Sequence, residues 1–457
     1  RDGGDLQLRL LATGRFSGAT CVVSQARSEF RLQAGQNGLE PAVGGSTRVN
    51  AELQTDTAKV LLTKRLDLSP KEPQIVTLSP DPGPVDVTVR TARGTILAAF
   101  TTPLPIPKTD PPERPDFMDK PEEKLTLQEK FLRAQKHDLS TNRKRAREFY
   151  EKALADDAGY TPALRGLAVL DTEAGLCEEA IAKLQKAVGR DPSDGVAWYF
   201  LGVNYLRTHR AAEALRCARE ATRCTGTGAL AFDLAGRAHA ALGEARAALD
   251  AFREAVRLNP RDALASDHWL LALYAAGDTA SAFKYAGQAM ADDPTDLVPR
   301  ALLALRGERQ LREFVKETRS FIGEPDFEML ETSFIFAEVG LAKEAARLLQ
   351  AVGVEAVPEA QRSALPMYCL AWLAVRQQDA ETAQQWLRQA AATDRDFVFP
   401  SRPEELEMLT YALQQNPDDA GAHLHLGNLY AHLGRPAEAV GHWQKASELN
   451  RSLSVAH

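Results

Sequence analysis

From about residue 142 the chain returns to the same pattern every 34 residues, and this period limits its fold more than any other feature. Ala180, Ala214, Ala248 and Ala282 stand 34 apart, and so do Ala187, Ala221, Ala255 and Ala289. Pro192, Pro260 and Pro294 keep the same register, with Gly226 in the remaining slot. A single globular core has no reason to repeat small residues at one interval. A stack of like units does, because one unit cannot bury its apolar face alone and every neighbour must offer the same surface.

Within the period, Trp198-x2-Leu201-Gly202-x2-Tyr205 is followed by Ala214, and the next copy supplies Phe252 and Pro260. The last copy reads His423-x2-Leu426-Gly427-x2-Tyr430, then Ala439-x3-Trp443. These positions resemble the tetratricopeptide repeat. The resemblance implies two antiparallel helices per unit. Gly202, Gly236 and Gly427, with Ala214 and its equivalents, let the helices approach closely, and Leu201 and Tyr205 share one face. The Asn-Pro or Asp-Pro closing each unit stops its second helix.

Copies are expected at about 125 to 156, 161 to 194, 195 to 228, 229 to 262, 263 to 296, 326 to 353, 364 to 397 and 420 to 453. Residues 125 to 457 thus hold about eight helical hairpins. Residues 297 to 325 form a shortened, divergent hairpin, which predicts a kink in the superhelix. Residues 398 to 419 insert an extra helix ending in Asn416-Pro417-Asp418.

Before the repeats the composition changes. Alanine supplies 10 of the first 102 residues and 63 of the other 355, whereas Val, Ile and Thr supply 23 of the first 102. β-Branched residues suit pleated strands and alanine suits packed helices. Period-two strands are expected at 5 to 12, 19 to 24, 29 to 33, 47 to 53, 59 to 68, 74 to 79, 85 to 90 and 95 to 100. They suggest a small antiparallel β-sandwich of immunoglobulin-like architecture over residues 1 to 102, without a Cys/Trp/Cys pattern. Residues 103 to 121 carry seven prolines, so 103 to 124 reads as a stiff linker. The fold class is therefore mainly α: a helical superhelix preceded by a small β-sandwich.

A net charge of −7 disfavours nucleic acid as a partner. The charge-free apolar run from Gly195 to Leu206 is twelve residues long, short of a membrane span. The opening RDGGDLQLRLL shows no signal-peptide pattern and no starting Met, so Arg1 reads as a cut inside a longer chain. A cytoplasmic location is expected, with the periplasm open. Five cysteines without a C-x-x-C pair suggest reduced thiols. Packing is favoured over metal binding for Cys217 and Cys224, seven apart, and likewise for His423, His425, His432 and His442. No phosphate loop, nucleophile elbow or H-E-x-x-H helix is present, so neither catalysis nor a cofactor is expected.

The tetratricopeptide resemblance implies a concave surface lined by the first helix of each unit. Carried onto this chain it gives Arg165, Glu173, Tyr199, Phe200, Arg207, Asp233, Arg237, Asp267, His268 and Tyr274, with His425, Asn428 and His432 in the last copy. Long mixed-charge side chains with aromatics suit a peptide or protein ligand. The chaperone-tail clamp of the family is absent, because its positions read Arg165 and Val169, Phe200, then Leu230 and Leu234.

The wider arrangement is also similar to a group of bacterial proteins with an upstream aldose-epimerase-like region, a small β domain, a Pro-rich joint and a long repeat array. The expected function is a non-enzymatic interaction scaffold. The alternative is a docking or dimerisation part of a larger carbohydrate-active enzyme. Homo-oligomerisation is left open.

Overall fold

The structure, a computed structural model, describes eight N-terminal strands and residues 116 to 322, 325 to 393 and 399 to 450. The chain divides into two compact units, Arg1–Arg114 and Pro115–His457.

The first unit holds β1 (Leu6–Ala12), β2 (Ala19–Gln25), β3 (Ser28–Gln33), β4 (Thr47–Thr55), β5 (Val60–Leu68), β6 (Gln74–Leu78), β7 (Val85–Thr91) and β8 (Ile96–Thr102). Each lies within two residues of its expected place. They form two antiparallel four-stranded sheets, ordered β3-β2-β1-β6 and β5-β4-β7-β8. Alternation sets the register: Val85, Val87 and Val89 are buried while Asp86 between them is exposed. The ladders slip at Leu53/Gln54 and at Val89/Arg90, where bulges interrupt the pairing. Residues 103 to 115 of the expected linker lie outside the described residues.

The second unit opens on short turns at Asp116–Met118 and Glu122–Lys124. Its helices are α1 (Leu127–Leu139), α2 (Arg143–Asp156), α3 (Thr161–Glu173), α4 (Cys177–Arg190), α5 (Gly195–Arg207), α6 (Ala211–Thr222), α7 (Gly228–Ala241), α8 (Ala245–Leu258), α9 (Ala263–Ala275) and α10 (Thr279–Asp292). After these come α11 (Leu297–Ala304), α12 (Glu308–Phe321), α13 (Pro325–Glu338), α14 (Ala342–Gln350), α15 (Ala364–Arg376), α16 (Ala380–Ala391), α17 (Pro403–Gln415), α18 (Ala420–His432) and α19 (Pro436–Leu449). None of the described helices is long and apolar enough to cross a membrane. The end of the Pro-rich segment is laid on the first hairpin: buried Arg133 donates to the carbonyls of Phe117 and Lys120, and Lys152 pairs with Glu122.

The period has a local cause that repeats at each joint. Proline prevents helix continuation, and the Asp two residues later caps the following helix. Asp194 accepts from the Ala197 amide (3.0 Å), Asp262 from Ala265 (3.1 Å), Asp296 from Val298 (3.0 Å) and Asp419 from Ala422 (3.0 Å). The repeated alanines Ala180, Ala214, Ala248 and Ala282 are all buried at the hairpin seam. Gly236 is small because Phe252 presses on it; an added β-carbon would lie 2.5 Å from that ring. Gly427 stands in the same relation to Trp443.

Uniform stacking breaks at α11. α11 has only eight residues, so α13 packs on α9 and α7 as well as on α11. Ala289, the last of the second alanine series, is only partly buried. Beyond this point the array curls back on its start. Leu406 in α17 lies over Gly175, 3.0 Å from where a β-carbon would sit. The Arg435 guanidinium donates to the Ala174 carbonyl (3.3 Å), 261 residues earlier.

Candidate functional site

Where the early and late repeats of the array meet they border an open cavity of about 900 Å³. One wall comes from the α3–α4 turn, the end of α5 and α7, through Leu176, Arg207 and Arg237. The facing wall comes from α13, α15 and α17, through Phe334, Glu338, Trp372, Glu404 and Tyr411.

The charges bridging these walls are paired. Glu338 accepts from the Arg237 guanidinium and from His268 Nε2 (3.1 Å). His268, fully buried, donates from Nδ1 to Asp233 (2.7 Å). Burial alone would push the His268 proton off, but the Asp233 and Glu338 carboxylates outweigh it and lift the ring to about 9. Burial likewise opposes the charge on Glu338, yet Arg237 and His268 hold it down at about 2. Two anions and two cations thus neutralise one another in a site that largely shields them from water, the condition under which a buried ionic group is tolerated. Farther along, Arg207 donates to the Thr172 carbonyl (2.9 Å) and pairs with Glu404 (3.4 Å). His209 meets Glu407 (3.3 Å). Arg376 lies 4.1 Å over the Trp372 ring and pairs with Glu407 at 3.5 Å.

Five of the candidate groove residues gather here: Arg207, Asp233, Arg237 and His268, with Tyr199 beside them, its hydroxyl pushed up by burial and feeling the charges of Arg237 and Asp233. Phe200 stacks edge-on against Tyr199 (5.3 Å). The others lie elsewhere. Arg165 pairs with Asp194 (2.7 Å), and Glu173, exposed, with Arg143 (3.0 Å). Asp267 is buried beside Asp296; burial first and Asp296 second lift it to about 8. Tyr274 packs on Phe283 (5.9 Å). His425 stands edge-on to Tyr368, Asn428 accepts from Trp443 Nε1 (2.9 Å), and His432 is exposed.

Sequence reading missed Glu338, Glu404 and Trp372. A signal for Glu338 existed. It stands seven residues before buried Ala345, as Arg207 stands seven before Ala214 and Arg376 seven before Ala383. That register, applied to the divergent copies, places Glu338 and Arg376 on the face of Arg207. Among the described residues no three metal-ligating side chains converge. Burial raises the thiols of Cys217, to about 12, and of Cys369, so both act as packing groups.

An α-helical solenoid of paired hairpins with this seam defines the class of the array. Tetratricopeptide-repeat family models match residues 166–229, 230–262 and 406–450, so the array contains tetratricopeptide repeats over these residues. Among solved structures, a MamA protein is 23% identical over 37% of this chain and 92% of its own, with a TM-score of 0.33. A tetratricopeptide repeat protein from Parabacteroides merdae is 12% identical over 63% and 98%, with a TM-score of 0.38. YrrB, described as a TPR protein with an unusual peptide-binding site, is 17% identical over 52% and 96%, with a TM-score of 0.31. No curated protein matches the chain.

Proposed function

We propose that the array is a non-catalytic interaction scaffold whose partner, a peptide or an extended protein segment, enters the cavity between the early and late repeats. The observation carrying this reading is the cavity itself: about 900 Å³, walled by Leu176, Phe334, Trp372 and Tyr411 and rimmed by paired charges. Apolar and aromatic walls with a few oriented polar groups are what a short chain segment needs for affinity and register. Glu338 and His268, the displaced charged groups facing the cavity, satisfy each other, which supports a structural role for them rather than proton transfer. The same reading places the partner's contacts on Arg376 and Tyr411, which hold no part of the buried network, rather than across the whole concave face. We further propose that the two N-terminal sheets close on one another as a sandwich, a reading supported by the buried face that Val85, Val87 and Val89 form on β7.

The test is affinity capture from the native source with the full chain and with Arg376→Glu/Tyr411→Ala, followed by identification of retained proteins. The doubly substituted chain should keep its helicity by circular dichroism and lose the specific partner. Equal retention by both chains contradicts the assignment of the cavity.

A further inference from the structure

At the far end of the array, α18 and α19 bring two imidazoles together. His423 Nδ1 and His442 Nδ1 lie 2.9 Å apart, with ring centroids 5.1 Å apart and planes inclined by 36°. We propose that this pair is a two-histidine site for a divalent transition-metal ion of the copper(II) or nickel(II) class, bound through the two Nδ1 atoms.

Packing accounts for only one nitrogen of His423. In the regular copy its place is taken by Trp198, sixteen residues before the buried alanine in both cases. Trp198 Nε1 donates to the Pro192 carbonyl (3.0 Å), and His423 Nε2 makes the same bond to Pro417 (3.1 Å). That bond fills the structural role of the position. It also requires the proton on Nε2, which leaves Nδ1 as a bare lone pair directed at His442. An indole has no such atom, and the position of His442 is occupied in that regular copy by Cys217.

The spacing suits an ion. Metal–imidazole bonds are about 2.0 to 2.1 Å, so two nitrogens bound at a right angle lie about 2.9 Å apart, whereas a tetrahedral angle would require about 3.4 Å. Right angles belong to the tetragonal and octahedral preferences of copper(II) and nickel(II). The Nε2–H bond to a carbonyl is the usual support of a metal-bound histidine. His442 is braced by Tyr430, stacked on it at 5.4 Å, and the Arg435 guanidinium lies 4.4 Å over the Tyr430 ring. When the ion enters, the proton shared between the two Nδ1 atoms moves to His442 Nε2; both rings stay neutral and no proton is lost. Water fills the remaining positions, and the nearby Glu438 is already paired with Arg435 (2.9 Å), so the two imidazoles alone supply the protein ligands.

The test is calorimetric titration of the full, untagged chain with nickel(II) chloride at pH 7.5. One ion should bind per chain. His423→Gln and His442→Gln should each weaken binding at least tenfold, while His432→Gln, which removes an exposed histidine of α18 outside the pair, leaves it unchanged. Nickel should also raise the melting temperature of the parent chain, because it ties α18 to α19 only in the folded state. A second readout does not depend on the variants: copper(II) bound to the parent chain should show nitrogen couplings from two imidazoles in its electron paramagnetic resonance spectrum. Absence of binding, binding that survives both substitutions, or coupling to fewer than two imidazoles overturns the proposal.

Discussion

The regular repeats, residues 161 to 296, and the irregular stretch from α11 to α17 do different work in one array. Within the regular part the helix seams are local and their alanines recur in register, so the structure grows as a sum of nearest-neighbour seams. The irregular part breaks the register through the eight-residue α11 and the added α17. From it come Glu338 and Glu404, which answer Arg237 and Arg207 of the regular part across 101 and 197 residues. Regular units build a wall; departures from the repeat bend that wall until it meets itself. The lesson is that degenerate copies of a repeat supply the long-range ion pairs, to which Arg435 of the last copy adds its bond to Ala174.

The contrast yields predictions of decreasing size. Phe252→Ala removes a fully buried ring from a regular seam and should cost about 4 kcal/mol in chemical denaturation, chiefly by leaving a cavity under Gly236. Glu338→Gln leaves His268 and Arg237 without their shared counter-ion. Because part of the Glu338 side chain meets solvent, the expected loss is about 2 kcal/mol rather than the full penalty of a buried pair. If Glu338→Gln proves the more damaging, the closure dominates stability and the contrast is inverted.

Two pH effects sharpen the same comparison. The folded chain holds the His268 proton up to about 9, above the unfolded value of about 6.5. Its contribution is therefore complete below about 6.5 and lost as pH rises through about 9. The urea midpoint should fall between pH 7 and pH 10, and Glu338→Gln should flatten that fall. Asp267 also keeps its proton in the folded chain, up to about 8, whereas the unfolded carboxyl ionises near 4. Its ionisation thus erodes stability as pH rises from about 4 to about 8, and Asp267→Asn should raise the midpoint at pH 8 and leave it unchanged at pH 4. The smallest effect is expected from Arg376→Ala, which loses a stacking contact with Trp372 at an exposed site: about 0.5 kcal/mol in the same denaturation experiment.

Much of the fold was legible because its signals are local. Alternation such as Val85, Val87 and Val89 marks a strand, and the Pro and Asp of each joint mark a helix end and the next helix start. The site was legible only in half. Arg207, Asp233, Arg237 and His268 follow from repeat position, but their partner Glu338 lies in a copy whose register is obscured by the short α11. Closure itself leaves no local mark. It arises from the accumulated rotation of many hairpins, and nothing near Ala174 in the chain announces Arg435.

The central claim is that the late repeats seat against the early ones. The direct measurement is pulsed electron paramagnetic resonance between nitroxide labels at Glu179 and Gln414, on opposite walls of the cavity, in a chain whose native cysteines are replaced. A closed array gives one short, narrow distance distribution at low salt. A long or broad distribution under the same conditions would show an open superhelix and contradict the account.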